Sequence, residues 1–491
     1  MIDKIKHSIK HTAIYSIGKA ASKMIGVVLL PIYTIHFSLT EYGTLGILET
    51  TAMILTQTLL LGQPAAFLRF FGSSQSGADN KSILFTIFTI LFTVTAVFTI
   101  TGLLWADKLS LFFEEPETFA RYFRLFVLII ALRIVNALFL DTLRAKEKPL
   151  LYSAGNVLNI LVMLSAAIYF VVVEKSGIVG VMYAYIAGET VLFLMLLPGA
   201  VSGMTPRFNR AIFFAALTFG FPYVFASLGS MWLQMGDQYV IKLLLNYAEV
   251  GLYNTGYRFA SLLNVFLIQS FSLYYLPQAY KLYGQEGDRR YYSKMLTYFV
   301  FVLCWAGLAL SLFGKEIIRL FALNPDYWPS HKIIPVVALG YVFSGAAVVV
   351  NLGIMLTKKT QYLAYAMAAA AAFNLVLNFI LIPHLGIMGA AITTLCSFLL
   401  LFLMLYYFSN RLYQIAYEKL KIVKLIAVSV GLYGCSLIAS DMALLVTILY
   451  KLTLLIVFPF LLYFIKFYEA VEIDRITRWS KRNILNKLLR K

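Results

Sequence analysis

Long apolar runs broken by short polar punctuation dominate the chain. Runs near the ~20 residues that a helix needs to cross a bilayer fall at roughly 12–36, 44–65, 82–104, 119–141, 151–173, 178–200, 211–234, 247–275, 294–313, 333–356, 362–382, 386–408, 422–440 and 442–466. Turn residues fill the gaps, as in Gly72-Ser73-Ser74, Asn324-Pro325-Asp326 and Pro383-His384-Leu385-Gly386. The pattern predicts an all-α polytopic membrane protein of about fourteen transmembrane helices. The first run follows Lys4, Lys6 and Lys10 as a signal peptide would. It is too long, holds Lys19 and Lys23, and lacks a small-residue cleavage site, so it reads as a retained first span.

Composition agrees: 61% of the 491 residues are hydrophobic and 13% charged. The formal charge of +18 would suggest nucleic acid in a soluble chain, but here the basic residues sit mostly in short loops. About 28 Lys/Arg fall in the N-terminus, the even-to-odd loops and the C-terminal tail, against about 8 in the opposite loops. That bias places both termini in the cytoplasm of a plasma-membrane (bacterial inner-membrane) protein. Residues 467–491 alternate apolar with basic positions and predict an amphipathic helix on anionic lipid.

Short motifs recur at an offset of about 210 residues. Tyr42-Gly43-Thr44-Leu45-Gly46 opens the second run and Val250-Gly251-Leu252-Tyr253 the eighth; Gly177-Ile178-Val179-Gly180 opens the sixth and Gly386-Ile387-Met388-Gly389 the twelfth. The plan this implies is two six-helix lobes, 1–205 and 206–410, two further helices at 411–466, and a cytoplasmic tail at 467–491. Internal duplication of this kind suits a transporter whose halves rock about a central site.

No P-loop, His-Glu-x-x-His or Gly-x-Ser-x-Gly occurs, which leaves ATP-driven pumping and the common hydrolase chemistries without support. The five histidines are scattered, and Cys304, Cys396 and Cys435 sit in apolar runs as small packing residues. We expect no catalytic residue, no cofactor and no metal site. The informative residues are the charges inside spans, which cost about 2.5–3.5 kcal/mol each at a helix centre unless they face a cavity or a partner. Lys19 and Lys23 lie one turn apart on the first helix; Arg133 lies in the fourth and Arg258 in the eighth. These four are candidate substrate-binding cations. Glu49, Glu189 and Asp237 are candidates for charge balance or for carrying a coupling H+ or Na+. The competing reading for each is a buried ion pair or a snorkelling side chain. The set is mainly cationic, so a cavity lined by it would attract an anion.

Several stretches resemble a known family. They are Tyr42-Gly43-x-Leu45-Gly46; Phe219-Gly220-Phe221-Pro222 with Asp237-Gln238-Tyr239-Val240-Ile241; Val250-Gly251-Leu252-Tyr253-Asn254; and Asn374-Leu375-x-x-Asn378-x-x-x-Ile382-Pro383-x-Leu385-Gly386-Ile387-x-Gly389-Ala390-Ala391. In order and spacing these resemble the Wzx-type polysaccharide-unit flippases of the multidrug/oligosaccharidyl-lipid/polysaccharide exporter superfamily. The resemblance implies a V-shaped pair of lobes around a central cavity and transport by alternating access. It implies undecaprenyl-diphosphate-linked oligosaccharide units as substrate, for O-antigen, capsule or exopolysaccharide synthesis. Membrane lipids, a polysaccharide polymerase and a chain-length regulator are candidate partners; nucleic acid is not. Two other readings stay open: a cation-coupled multidrug exporter, and a membrane polysaccharide polymerase, which the short outer loops disfavour.

Overall fold

The computed structural model describes residues 26–73, 77–111, 115–439 and 443–469. Among these residues the regular structure is helical throughout. The predicted amphipathic tail from residue 470 onward, Lys19 and Lys23 all lie outside the described residues.

The first half comprises α1 (Leu30–His36), α2 (Leu39–Leu59), α3 (Gln63–Ser73), α4 (Gly77–Ser110), α5 (Pro116–Ala145), α6 (Pro149–Ala167, continuing through a π turn at Ile168–Val173) and α7 (Gly177–Val201). The second comprises α8 (Arg210–Met235), α9 (Asp237–Leu244), α10 (Tyr247–Ala260), a π segment at Leu263–Ile268, α11 (Gln269–Leu282), α12 (Asp288–Phe321), a 3-10 turn at Pro325–Ile333, α13 (Ile334–Val350), α14 (Leu352–Leu356), α15 (Gln361–Leu385) and α16 (Ile387–Leu412). Helices α17 (Lys419–Ser436) and α18 (Leu444–Phe464) follow. Among the described residues eleven helices are long and apolar enough to cross a membrane, or twelve if the bent pair α2–α3 is one span. The remaining two expected spans are the first run, described only from Gly26, and α17, whose first turns carry Lys419, Lys421 and Lys424. Their outward faces carry large apolar side chains such as Leu104, Ile438 and Phe464. In water such a belt would aggregate; in lipid it is the solvated surface.

Local sequence explains where the helices begin and break. Ser38 caps α2 through a reciprocal box: its hydroxyl accepts from the Glu41 amide at 3.2 Å, and the Glu41 carboxylate accepts from the Ser38 amide at 2.9 Å. Asn246 caps α10 one way: its side-chain oxygen accepts from the Glu249 amide at 2.9 Å. Pro116 and Pro149 open α5 and α6, where a missing N–H costs nothing. Between α2 and α3 the chain bends by 43°. Leu61 and Gly62 both take positive φ there, 49° and 66°. The sequence pattern runs straight through this break.

Helix α2 packs against the second half at both of its ends. Near the end that the loop charges predict to be external, Gly43 of α2 meets Gly251 of α10 backbone to backbone. A Cβ on Gly43 would lie 1.7 Å from the Tyr247 carbonyl oxygen, and one on Gly251 would lie 2.3 Å from that of Leu39. These two glycines occupy matching places in the motifs Tyr42-Gly43 and Val250-Gly251. At the same level the Tyr327 hydroxyl donates to the Phe37 carbonyl at 2.9 Å, and the Leu323 amide donates to Thr34 Oγ1 at 3.2 Å. Near the basic end a Cβ on Gly220 of α8 would lie 2.1 Å from the Leu61 carbonyl oxygen. Arg69 of α3 sits 4.6 Å from the centre of the Phe219 ring there.

Helices α17 and α18 are fastened to α12. Lys451 donates to both carboxylate oxygens of Glu316 at 2.7 and 2.8 Å. The Trp305 indole donates to the Leu455 carbonyl at 3.2 Å. At the basic end Lys294 bonds both Glu418, at 2.8 Å, and Glu469.

Candidate functional site

Four of the predicted residues converge where α2, α5, α7 and α10 meet, about 15 Å below the predicted outer end by helix rise. The Glu49 carboxylate lies between two partners. The Tyr185 hydroxyl of α7 donates to one oxygen, and Arg258 Nη2 of α10 stands 3.4 Å from the other. Arg258 Nη1 donates to the Gly26 carbonyl at 2.7 Å. A Cβ on Gly26 would lie 2.8 Å from that same nitrogen, so a side chain there would displace the guanidinium. The guanidinium also lies 5.7 Å from the Tyr42 ring centre, a favourable cation–π placement.

The second pair is joined to the first through Tyr185. Arg133 of α5 lies 5.2 Å from the centre of the Tyr185 ring, and its Nε is 3.4 Å from Glu189. Asn136, one turn on, donates to the Glu189 carboxylate at 2.8 Å and to its backbone carbonyl at 2.9 Å. The result is one relay: Asn136 and Arg133 on Glu189, then Tyr185, then Glu49, then Arg258. Each arginine has one carboxylate partner, so the described part of the cluster is charge-balanced. Both ion pairs are long, and each side chain in them keeps roughly a fifth of its surface exposed. Such pairs are weakly held and open to a competing anion.

Asp237 does not join this relay. It opens α9 inside the second half and is 1% exposed. Its carboxylate accepts from Asn378 at 2.7 Å, Thr394 at 2.5 Å and Tyr253 at 2.8 Å. No cation stands within salt-bridge distance of it among the described residues. Asn374 Oδ1 accepts from Asn378 at 3.2 Å, while Asn374 Nδ2 and Asn378 Oδ1 are buried without a partner. This buried carboxylate, held by one amide N–H and two hydroxyl donors with the unpartnered Asn378 Oδ1 close by, has the chemistry to take up a proton or a hard monovalent cation. Among the described residues no group of three or more His, Cys, Asp or Glu could hold a metal ion.

Sequence reasoning singled out the charges because ionisable residues in apolar runs are rare. Tyr42 stands out only as part of a motif and carries no role there, and Tyr185 is one of 32 tyrosines with nothing to mark it. Asn374 and Asn378 were within reach, being four residues apart and so on one helix face. Thr394 gave no signal.

The family described as polysaccharide biosynthesis protein matches residues 8–279. Over 148 residues the chain is 27% identical to the capsular polysaccharide biosynthesis protein CapF of Staphylococcus aureus, a match covering 29% of this chain and 37% of that protein. Over 144 residues it is 26% identical to an uncharacterized membrane protein of Methanocaldococcus jannaschii, covering 28% and 27%. These matches therefore span about a quarter to a third of the curated relatives' length. Among solved structures the chain superimposes on the lipid II flippase MurJ in an inward closed conformation with a TM-score of 0.75 at 16% identity, covering 92% of this chain and 99% of that one. An inward-facing multidrug resistance MATE family transporter gives 0.63 at 16% identity, covering 84% and 98%. The chain shares their fold.

Proposed function

The chain belongs to the polysaccharide biosynthesis protein family, and on that premise we propose that it is a flippase for undecaprenyl-diphosphate-linked oligosaccharide units. The units would pass from the inner to the outer leaflet of the plasma membrane, for assembly of a surface polysaccharide. In this reading the halves 1–205 and 206–410 act as rocking lobes and both termini are cytoplasmic. The protein moves its substrate without bond chemistry.

One observation carries the reading: two arginines at mid-membrane depth are held by carboxylates at 3.4 Å rather than by tight bidentate bonds. A diphosphate offers more charge and more acceptor oxygens than one carboxylate, so it competes for both guanidinium groups. Arg258 belongs to α10 and Glu49 to α2, so the exchange would remove a bond joining the two halves and bind substrate in the same step. Lys19 and Lys23 would add positive charge on the first span. The Asp237 cage supplies a candidate seat for a coupling H+ or Na+, whose arrival would change the charge of the second half.

The test replaces Arg133 and Arg258 together by glutamine in cells that depend on this protein. Surface polysaccharide should fall at least tenfold while lipid-linked units accumulate in the inner leaflet. Unchanged polysaccharide would remove the role of both arginines.

A further inference from the structure

The relay and the Asp237 cage leave a third polar feature unexplained. A cavity of about 390 Å³ lies in the second half between α8, the π segment, α11, α13, α15 and α16. This volume falls in the ~300–1,000 Å³ range of small-molecule sites. Its polar lining is Ser230, Gln234, Asn264, Gln269, Ser272 and Ser344, and no Asp, Glu, Lys, Arg or His lines it. Tyr341 and Phe398, with ring centres 5.6 Å apart, close one wall.

The polar groups are poorly used by the protein itself. Asn264 Nδ2 reaches Gln234 Oε1 only at 3.4 Å, and the Gln234 amide rests on Ser230 at 3.2–3.3 Å. The Gln269 amide and the hydroxyls of Ser272 and Ser344 make no hydrogen bond to another described residue. Polar groups at membrane depth are costly without partners, so a cavity built this way is made for a ligand or water that supplies them. The π segment Leu263–Ile268 forms part of the wall. Its wider turn redirects Asn264 and Gln269 relative to a regular helix, and π segments concentrate at functional sites.

The chemistry of the lining selects the class of ligand. An acidic group finds no cation here, and a cationic drug finds no carboxylate. A hydroxyl-rich neutral ring finds amides and hydroxyls that both donate and accept, with an aromatic wall for its C–H face. Arg258 and Asn264 are six residues apart on one continuous span, about 9 Å of helix rise, so the anion site and this cavity follow each other along the same element.

We propose that this cavity is the subsite for an uncharged sugar of the transported unit, a hexose or N-acetylhexosamine ring, and that it discriminates against uronic and other acidic sugars. The proposal rests on the flippase reading and names the sugar class that reading leaves open.

The test uses the purified full-length chain in lipid nanodiscs with three probes: polyprenyl diphosphate alone, the same lipid carrying N-acetylglucosamine, and the same lipid carrying glucuronic acid. The neutral glycolipid should bind about tenfold more tightly than the bare diphosphate, the worth of one to two net hydrogen bonds. The glucuronyl lipid should bind no better than the bare one. In the Asn264→Leu, Gln269→Leu double variant the tenfold advantage should vanish while bare diphosphate binding, which also reports the fold, is kept. A neutral glycolipid no tighter than bare diphosphate, an acidic one as tight as the neutral, or an advantage that survives the double variant would each overturn the subsite. Failure of the bare diphosphate itself to bind the wild-type chain would overturn the flippase reading, and the subsite with it. The comparison of probes on the wild-type chain is decisive even if the variant does not fold.

Discussion

Arg258 and Glu49 are 209 residues apart in the chain and 3.4 Å apart in the structure. Removing either one alone leaves its partner desolvated and partly unpaired. Arg258→Gln or Glu49→Gln should cost about 1–3 kcal/mol, between the limits for exposed and fully buried pairs. The double variant should cost less than the sum of the two, and the difference, read by thermal unfolding in detergent, measures the coupling. Additive losses would mean that the two side chains do not interact. The charges themselves were legible in the sequence because each interrupts an apolar run. Their pairing was not, since nothing in one chain segment reports a neighbour two hundred residues away. Pairing also changes the electrostatic picture. A list of intramembrane residues weighted toward lysine and arginine predicts a cationic cavity, yet Arg133 and Arg258 are each offset by a glutamate. In the proposed mechanism the attraction for an anion would lie in exchange of partners at these two arginines.

Among the elements, α2 and the span formed by α10 and α11 are the two that carry the most consequence. Both depart from regular helix, and the motif offset of about 210 residues would relate the two places: Leu60–Gly62 in the first half, and the end of the Leu263–Ile268 segment in the second. Interrupted spans in corresponding positions are where transporters bind substrate. The spans themselves were readable from length and hydrophobicity, because a bilayer demands about 20 apolar residues per helix. The break at Leu61 was not, because apolar residues continue through it and only Gly62 hints at a turn. The glycine contact between α2 and α10 gives a sharper expectation. Gly43→Val places a side chain where the Tyr247 carbonyl already sits, so the helices must separate. A cysteine at Leu39 should then react with a membrane-impermeant thiol reagent added from outside at least several-fold faster than in the parent. An unchanged rate would mean that this contact does not hold the outer end closed. At the basic end the C-terminal helices depend on charge. Burial alone would raise the Glu418 carboxyl, but hydrogen bonds from Lys294, Thr297 and Lys421 outweigh it and push it from an ordinary 4.5 down to about 2. A carboxyl with a depressed folded-state value stabilises fully above its unfolded value and loses that contribution as pH falls through the folded one. Protease protection of the linker before α17 should therefore hold from pH 7 to about 5 and weaken progressively below 4.5. Protection lost between pH 7 and 6 would point to a different group.

For the whole molecule, the two sites are connected through the second half. Asp237 accepts from Tyr253. The Tyr253 and Tyr257 rings lie 5.5 Å apart, and the Tyr341 hydroxyl, in the cavity wall, donates to that of Tyr257 at 3.0 Å. The proposed ion seat at Asp237 and the proposed sugar subsite at Tyr341 would thus bear on one packed aromatic row. Asp237→Asn keeps the shape of the cage and removes its charge. Flipping of lipid-linked units in proteoliposomes should lose its dependence on an imposed H+ or Na+ gradient, with the protein still folded; a gradient response equal to the parent's would take Asp237 out of the coupling.

The meeting of Gly43 with Gly251 has one further consequence. Equivalent residues of the two repeats touching each other is the signature of a contact centred on a two-fold axis, as in an isologous dimer. On the proposed plan of two repeated lobes, the chain would be two protomers of a dimer strung together by residues 202–209, with the dimer interface placed where the proposed pathway would open. Separately produced halves, cut within that connection, should reassociate in the membrane and recover surface polysaccharide, because the surfaces that recognise each other are carried by the helices and not by the strand that joins them.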